Sequence, residues 1–173
     1  MRKEIEKLLQ SVQKPARYAG GELNSVMKDK SKVALRYAFC FPDTYEIGMS
    51  HLGMKILYGV ANAREDTWCE RVFAPADDME ALMRANGEPL FALESGDPIK
   101  DFDMIGFTMQ YELSYTNILN MLDLAGVPLR AEDRKSLTPI VAFGGPCACN
   151  PEPVAEFADI IFLGEGEETT NMV

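Results

Sequence analysis

Residues Phe41 to Gly53 read F-P-D-T-Y-E-I-G-M-S-H-L-G, and within them an apolar run gives way to a helical pattern. Upstream, Val33 to Phe41 (V-A-L-R-Y-A-F-C-F) is short, β-branched and aromatic, and it stops at a proline, as a largely buried strand does before its loop. Downstream, Met49, Leu52, Ile56 and Val60 recur at spacings of three and four, which predicts a helix with one apolar face. The unit is strand, loop, helix. In an open parallel sheet such a loop lies at the carboxyl ends of the strands, where ligands bind.

The rest of the chain repeats this unit. Before it, Ile5, Leu8, Leu9 and Val12 form a stripe on a short amphipathic helix over Arg2 to Val12, which breaks at Pro15. Gly20-Gly21 then permits a tight turn, with Arg17, Tyr18, Glu22 and Asn24 as polar handles. After it, Thr67 to Phe73 reads as a second strand. Asp77 and Glu80 form a capping box for a helix that turns Met79, Leu82 and Met83 inward and ends at Asn86-Gly87. Pro89 to Glu94 suggests a short edge strand that Pro98 keeps from extending. Met104 to Met109 is a strand, followed by a helix with Tyr115, Ile118, Leu119 and Leu122 on one face and Gly126 as its terminator. Ile140 to Phe143, a short helix through Phe157, and Ile160 to Leu163 complete the series. This alternation predicts an α/β fold, a doubly wound and mainly parallel five-stranded sheet of flavodoxin or Rossmann type in the order 2-1-3-4-5. Residues 1–31 would form an N-terminal helix and Gly-Gly arm, 32–166 the α/β domain, and 167–173 the start of a linker or helix in a longer chain.

At 173 residues the chain can bury one sizeable core. Its formal charge of -10 argues against a nucleic-acid surface, because such affinity rests on Lys and Arg neutralising phosphates. No apolar run reaches the ~18 residues of a membrane span, and the N-terminus lacks a signal-peptide core. Cys40, Cys69, Cys147 and Cys149 show no disulfide-framework spacing, so a cytoplasmic protein with reduced thiols is expected. Ser50 and His51 are adjacent on a helical pattern, which points their side chains apart and does not make a catalytic dyad.

Three loops fall at one end of the expected sheet: Asp43 to Gly48, Thr108 to Tyr111, and Gly144-Gly145-Pro146. Their arrangement resembles the cobalamin-binding domain, in which D-x-H-x-x-G follows the first strand, Ser or Thr the third and Gly-Gly the fourth. More closely, P-A-R-Y-A-G-G-E, F-P-D-T-Y-E-I-G-M-S-H-L-G, M-Q-Y-E-L-S-Y-T-N-I-L-N-M-L-D-L-A-G, G-G-P-C-A-C-N-P-E-P and G-E-G-E together resemble the N-terminal, cobalamin-binding-like domain of radical S-adenosylmethionine (radical SAM) proteins. The resemblance implies a cofactor site at Asp43, Tyr45, Gly48, Gly53, Thr108 and Gln110, with Gly144, Gly145 and Pro146. Gly48, Gly53, Gly144 and Gly145 would admit the corrin or its nucleotide tail, and Thr108 and Gln110 would donate to it.

Tyr45 stands where the cobalt-ligating histidine would be, and a phenol is a poor cobalt ligand at neutral pH. The resemblance therefore implies cobalamin held without a protein histidine, and His51 is read as a surface or packing residue. A radical SAM enzyme also needs C-x-x-x-C-x-x-C for a [4Fe-4S] cluster that binds S-adenosylmethionine. This segment has only C-A-C at Cys147 to Cys149, so both groups would belong to a barrel elsewhere in the native chain. The implied role is a non-catalytic module that positions cobalamin or covers the barrel's active site. One alternative is a domain without cobalamin acting as a lid or substrate-recruiting surface. The other is a free-standing flavodoxin-like nucleotide-binding protein, which the acidic Asp43, Glu46 and G-E-G-E disfavour. No direct nucleic-acid or membrane contact is expected, and a barrel-facing apolar surface would favour self-association.

Overall fold

The computed structural model describes residues 2–166, in which β1 (Leu35–Phe41), β2 (Thr67–Phe73), β3 (Met104–Thr108), β4 (Ile140–Gly144) and β5 (Ile160–Ile161) form one sheet. Every pairing is parallel and the order is β2-β1-β3-β4-β5, the expected doubly wound topology. The expected linker at 167–173 lies outside the described residues. The first strand starts two residues later than read, and the last is only two residues long.

Side chains alternate across a strand, so each face of the sheet has its own core. Ala38, Cys40, Val72, Ile105, Phe107 and Val141 point to one face. They pack there with Ile5 and Leu8 of α1 (Lys3–Leu9), Met79 and Met83 of α4 (Asp77–Asn86), and Ile118 and Leu122 of α5 (Tyr115–Ala125). The N-terminal helix is thus part of this core, with Ile5 fully buried. Phe39, Phe41, Cys69 and Phe73 point to the opposite face, against Met54, Tyr58 and Ala61 of α3 (Leu52–Asn62).

The helix after β1 departs from the sequence reading. It is two helices, α2 (Tyr45–Ser50) and α3, broken at His51, whose φ of -77° and ψ of 119° are extended. The break rotates the buried stripe: Met54, Tyr58 and Ala61 face the sheet, while Leu52 and Ile56 are 69% and 41% exposed. The capping box at Asp77 also fails. Ala76 is the N-cap, Asp77 is the first helical residue, and no side chain caps α4. Pro89 to Glu94 is not an edge strand. Its one bridge is Phe91 to Pro98, and Leu93 N donates to Arg71 O of β2. Gly87 and Gly126 terminate α4 and α5 in left-handed conformation, as expected.

The Gly-Gly arm straps the β2 side of the molecule. Val26 N donates to the Tyr58 hydroxyl at 2.7 Å, and Trp68 Nε1 donates to Val26 O at 2.9 Å. Lys28 Nζ donates to the carbonyls of Asn62 and Thr67. Among the described residues, no helix is long and apolar enough to cross a membrane.

Candidate functional site

Beyond the edge of α3, the sheet face over β3 and β4 carries small side chains. Gly106 pairs in register with Ala142, and Thr108 with Gly144. The result is a cleft of about 450 Å³, floored by these four residues. His51, Gly53 and Leu57 of the α3 side and Phe162 with Gly164 to Gly166 complete the lining, Gly166 lying close to the Leu57 side chain. Its volume lies in the range of small-molecule sites.

Six of the residues singled out in the sequence line this cleft: Gly53, Thr108, Gln110, Gly144, Gly145 and Pro146. At Gly144 a Cβ would meet only Phe162, no nearer than 3.7 Å, so it would stand in the hollow. Gly145 has a φ of +96°, which excludes most side chains, and a Cβ there would lie 3.0 Å from the Met109 backbone and from Thr108 Oγ1. Thr108 is 7% exposed, and its Oγ1 accepts from Gln110 Nε2 at 2.5 Å, which leaves the hydroxyl proton free to donate.

The other three lie elsewhere. Gly48 is a packing residue: a Cβ there would stand 2.6 Å from Phe73 Cδ1, so glycine lets α2 sit directly on the sheet. Tyr45 turns away from the cleft, its ring edge-on to Phe73 at 5.5 Å and its hydroxyl donating to Glu22 Oε1 at 3.1 Å. Burial, then the neighbouring Glu22, holds its phenol above the ordinary tyrosine range. Asp43 accepts from Thr44 N at 2.7 Å and from the Tyr111 hydroxyl at 3.2 Å. It borders a separate polar hollow of about 590 Å³ with Arg17, Asp77, Asp78, Asn117 and Asn120.

The lining residues with titratable side chains all escaped the sequence reading as site residues: Tyr37, His51, Cys149 and Glu165. His51 does have the packing role expected of it, tilted against Phe41 at 5.2 Å. It also caps α3, its Nδ1 accepting from Met54 N at 3.3 Å, which assigns the neutral ring's proton to Nε2. A histidine three residues ahead of a helical amide was the available signal. Among the described residues, the lining includes Glu165 but neither Lys nor Arg.

A second polar centre lies under the arm. Arg71 donates from Nε to Glu94 Oε1 and from its backbone N to Glu94 Oε2, both at 2.7 Å. Its Nη2 reaches Ser25 at 2.9 Å and Glu22 at 3.4 Å, and the guanidinium lies 4.6 Å from the Tyr58 ring centroid. Burial pushes the Glu94 carboxyl up against the opposing pull of Arg71. This network fastens the arm and does not open on the cleft.

A family model described as "Radical SAM proteins, N-terminal" matches residues 53–173. An uncharacterized protein of Methanocaldococcus jannaschii is 36% identical over 87 residues, which make up 49% of this chain and 18% of that protein. The chain therefore aligns with less than a fifth of that relative's length. No solved structure matches the chain.

Proposed function

Since the chain belongs to the family of radical SAM protein N-terminal domains, we propose that it is a non-catalytic module whose cleft seats the nucleotide tail of cobalamin beside a radical SAM barrel of the same native chain. The observation that carries this reading is the open sheet face over Gly106, Thr108, Ala142 and Gly144, on which six residues of the cofactor motifs converge. Cobalamin bound there would supply a cobalt-carried methyl group to a substrate radical. The [4Fe-4S] cluster and S-adenosylmethionine belong to the barrel in this reading.

The residues fit a nucleotide tail. A side chain at Gly144 would fill the space it needs, and Thr108 presents a free hydroxyl proton within the cleft. With Tyr45 turned to Glu22, no side chain of the first loop is offered to the cobalt, so attachment rests on the tail and the corrin edge. The test is a visible-absorbance titration with hydroxocobalamin and methylcobalamin followed by desalting. Stoichiometric retention, without the absorbance of histidine-ligated cobalt and abolished by Gly144→Leu, is the expected result. A cooperatively folded protein that retains neither form, even when joined to its barrel, would overturn it.

The Tyr45 to Glu22 bond also favours a second reading, in which the domain has lost the cofactor and covers the barrel mouth as a lid or substrate-recruiting surface. A free-standing nucleotide-binding role is less well supported, because the family match is to a domain of radical SAM proteins.

A further inference from the structure

We infer that Tyr37 is the specificity-determining residue at the inner end of the cleft, donating its hydroxyl proton to a ring nitrogen of an uncharged heteroaromatic base. The inference rests on the cofactor reading above and names the part of the ligand that the cleft reads.

Tyr37 lies in β1, two residues before Phe39, and so points to the same sheet face as the cleft. Its ring runs over Gly106 of β3, where a Cβ would come within 2.6 Å of Tyr37 Cε2. Glycine at 106 is what allows the phenol to lie flat on the floor, with Phe39 stacked behind it at 5.7 Å. Unlike Tyr18, Tyr45, Tyr58 and Tyr111, whose hydroxyls all have partners, Tyr37 makes no hydrogen bond among the described residues. The fully buried side-chain atom lacking a partner is Arg36 Nε, so the Tyr37 oxygen is open to the cleft.

A phenol open to the cleft can be served by water, and a ligand that displaces this water must offer an acceptor in its place. Burial also raises its pKa well above the ordinary range, so it stays a neutral donor at physiological pH. The lining around it sets the ligand class. Phe39, Leu57 and Phe162 are apolar, the titratable groups of the lining besides Tyr37 are His51, Cys149 and Glu165, and no Lys or Arg is present among the described residues. Such a slot suits a flat, uncharged ring with an acceptor nitrogen, and leaves any phosphate at the mouth.

The test compares two cobamides on the intact chain: one with a benzimidazole base, which carries a ring nitrogen, and one with a p-cresolyl base, which carries none. Tyr37→Phe removes a hydroxyl that has no protein partner, so the fold and the melting temperature are retained. The expected result is about tenfold weaker binding of the benzimidazole cobamide by Tyr37→Phe, with the p-cresolyl cobamide unchanged. Equal effects on both cobamides, or none on either, would overturn the role of Tyr37 while leaving the cofactor reading intact. If the unaltered chain retains neither cobamide, the cofactor reading itself fails and this inference with it.

Discussion

The Tyr45 hydroxyl and Glu22 Oε1 are 3.1 Å apart, and this bond ties the first turn of α2 to the N-terminal arm. Tyr45, which stands where the resemblance to cobalamin-binding domains would put a cobalt-ligating histidine, therefore serves the fold. Tyr45→Phe is expected to lower stability by about 1 kcal/mol, the net worth of one hydrogen bond, and to leave cofactor retention unchanged. Tyr45→His should not produce the absorbance of histidine-ligated cobalt, because a side chain at this position faces the arm. Urea unfolding and visible spectra check the two statements.

Arg71 and Glu94 form the most deeply buried ion pair of the arm's anchorage, with side chains 7% and 0% exposed. Glu94→Ala removes the acceptor of both Arg71 Nε and the Arg71 backbone N and should cost roughly 3–5 kcal/mol. Arg71→Met combined with Glu94→Leu should cost less than Glu94→Ala alone, since no buried guanidinium is left unpaired and only the partly exposed Glu22 loses an ion pair. A double-mutant cycle in urea measures the difference.

Two glycines of the resemblance should separate cleanly. Gly48→Ala forces a methyl against Phe73 and Phe41 and should destabilise by about 1–3 kcal/mol, as overpacking does. Gly144→Ala meets nothing nearer than 3.7 Å and should leave stability within about 0.5 kcal/mol. Ligand retention should follow the opposite order, lost at 144 and kept at 48. Parallel melting curves and cofactor titrations report both.

The thiols predict an alkaline decline. Burial pushes Cys40 and Cys69 well above the ordinary thiol range, so the native state keeps protons that the unfolded chain releases near pH ~8.5. Their stabilising contribution is therefore complete below that pH and falls as pH rises through it, by up to ~1.4 kcal/mol per unit for each thiol. Cys69→Ala should reduce this slope in urea titrations between pH 7.5 and 9.5, roughly one unit either side of the free thiol. In the native protein a thiol reagent should modify exposed Cys149 first and spare Cys40 and Cys69.

Much of the topology was legible because strands and helices alternate and the helices α4 and α5 end on glycine. Thr67 to Phe73 was readable to the residue, since its ends are fixed by flanking turns. The helix after β1 was not, because Met49, Leu52, Ile56 and Val60 carry the same spacing as the true stripe of Met54, Tyr58 and Ala61. Only the extended backbone of His51, whose ring packs against Phe41, decides between them. At the cleft, motif glycines announced three residues with different roles: Gly144 leaves the hollow open, Gly145 holds a φ of +96°, and Gly53 makes way for the His51 ring. Tyr37 was hidden, because V-A-L-R-Y-A-F-C-F is apolar at nearly every position and gives no parity. Register with β3 is what assigns Tyr37 its face.

The hollow over Gly106, Thr108, Ala142 and Gly144 is made by what two central strands lack, on backbone held by ladder hydrogen bonds to both neighbours. A floor of this kind has no hinge of its own, whereas the walls include the loop residues Gln110, Gly145, Phe162, Gly164 and Glu165. The rigidity of the floor makes it unforgiving: it cannot widen to accept a larger base, so variation in ligand size there must be met by substitution on the strands themselves.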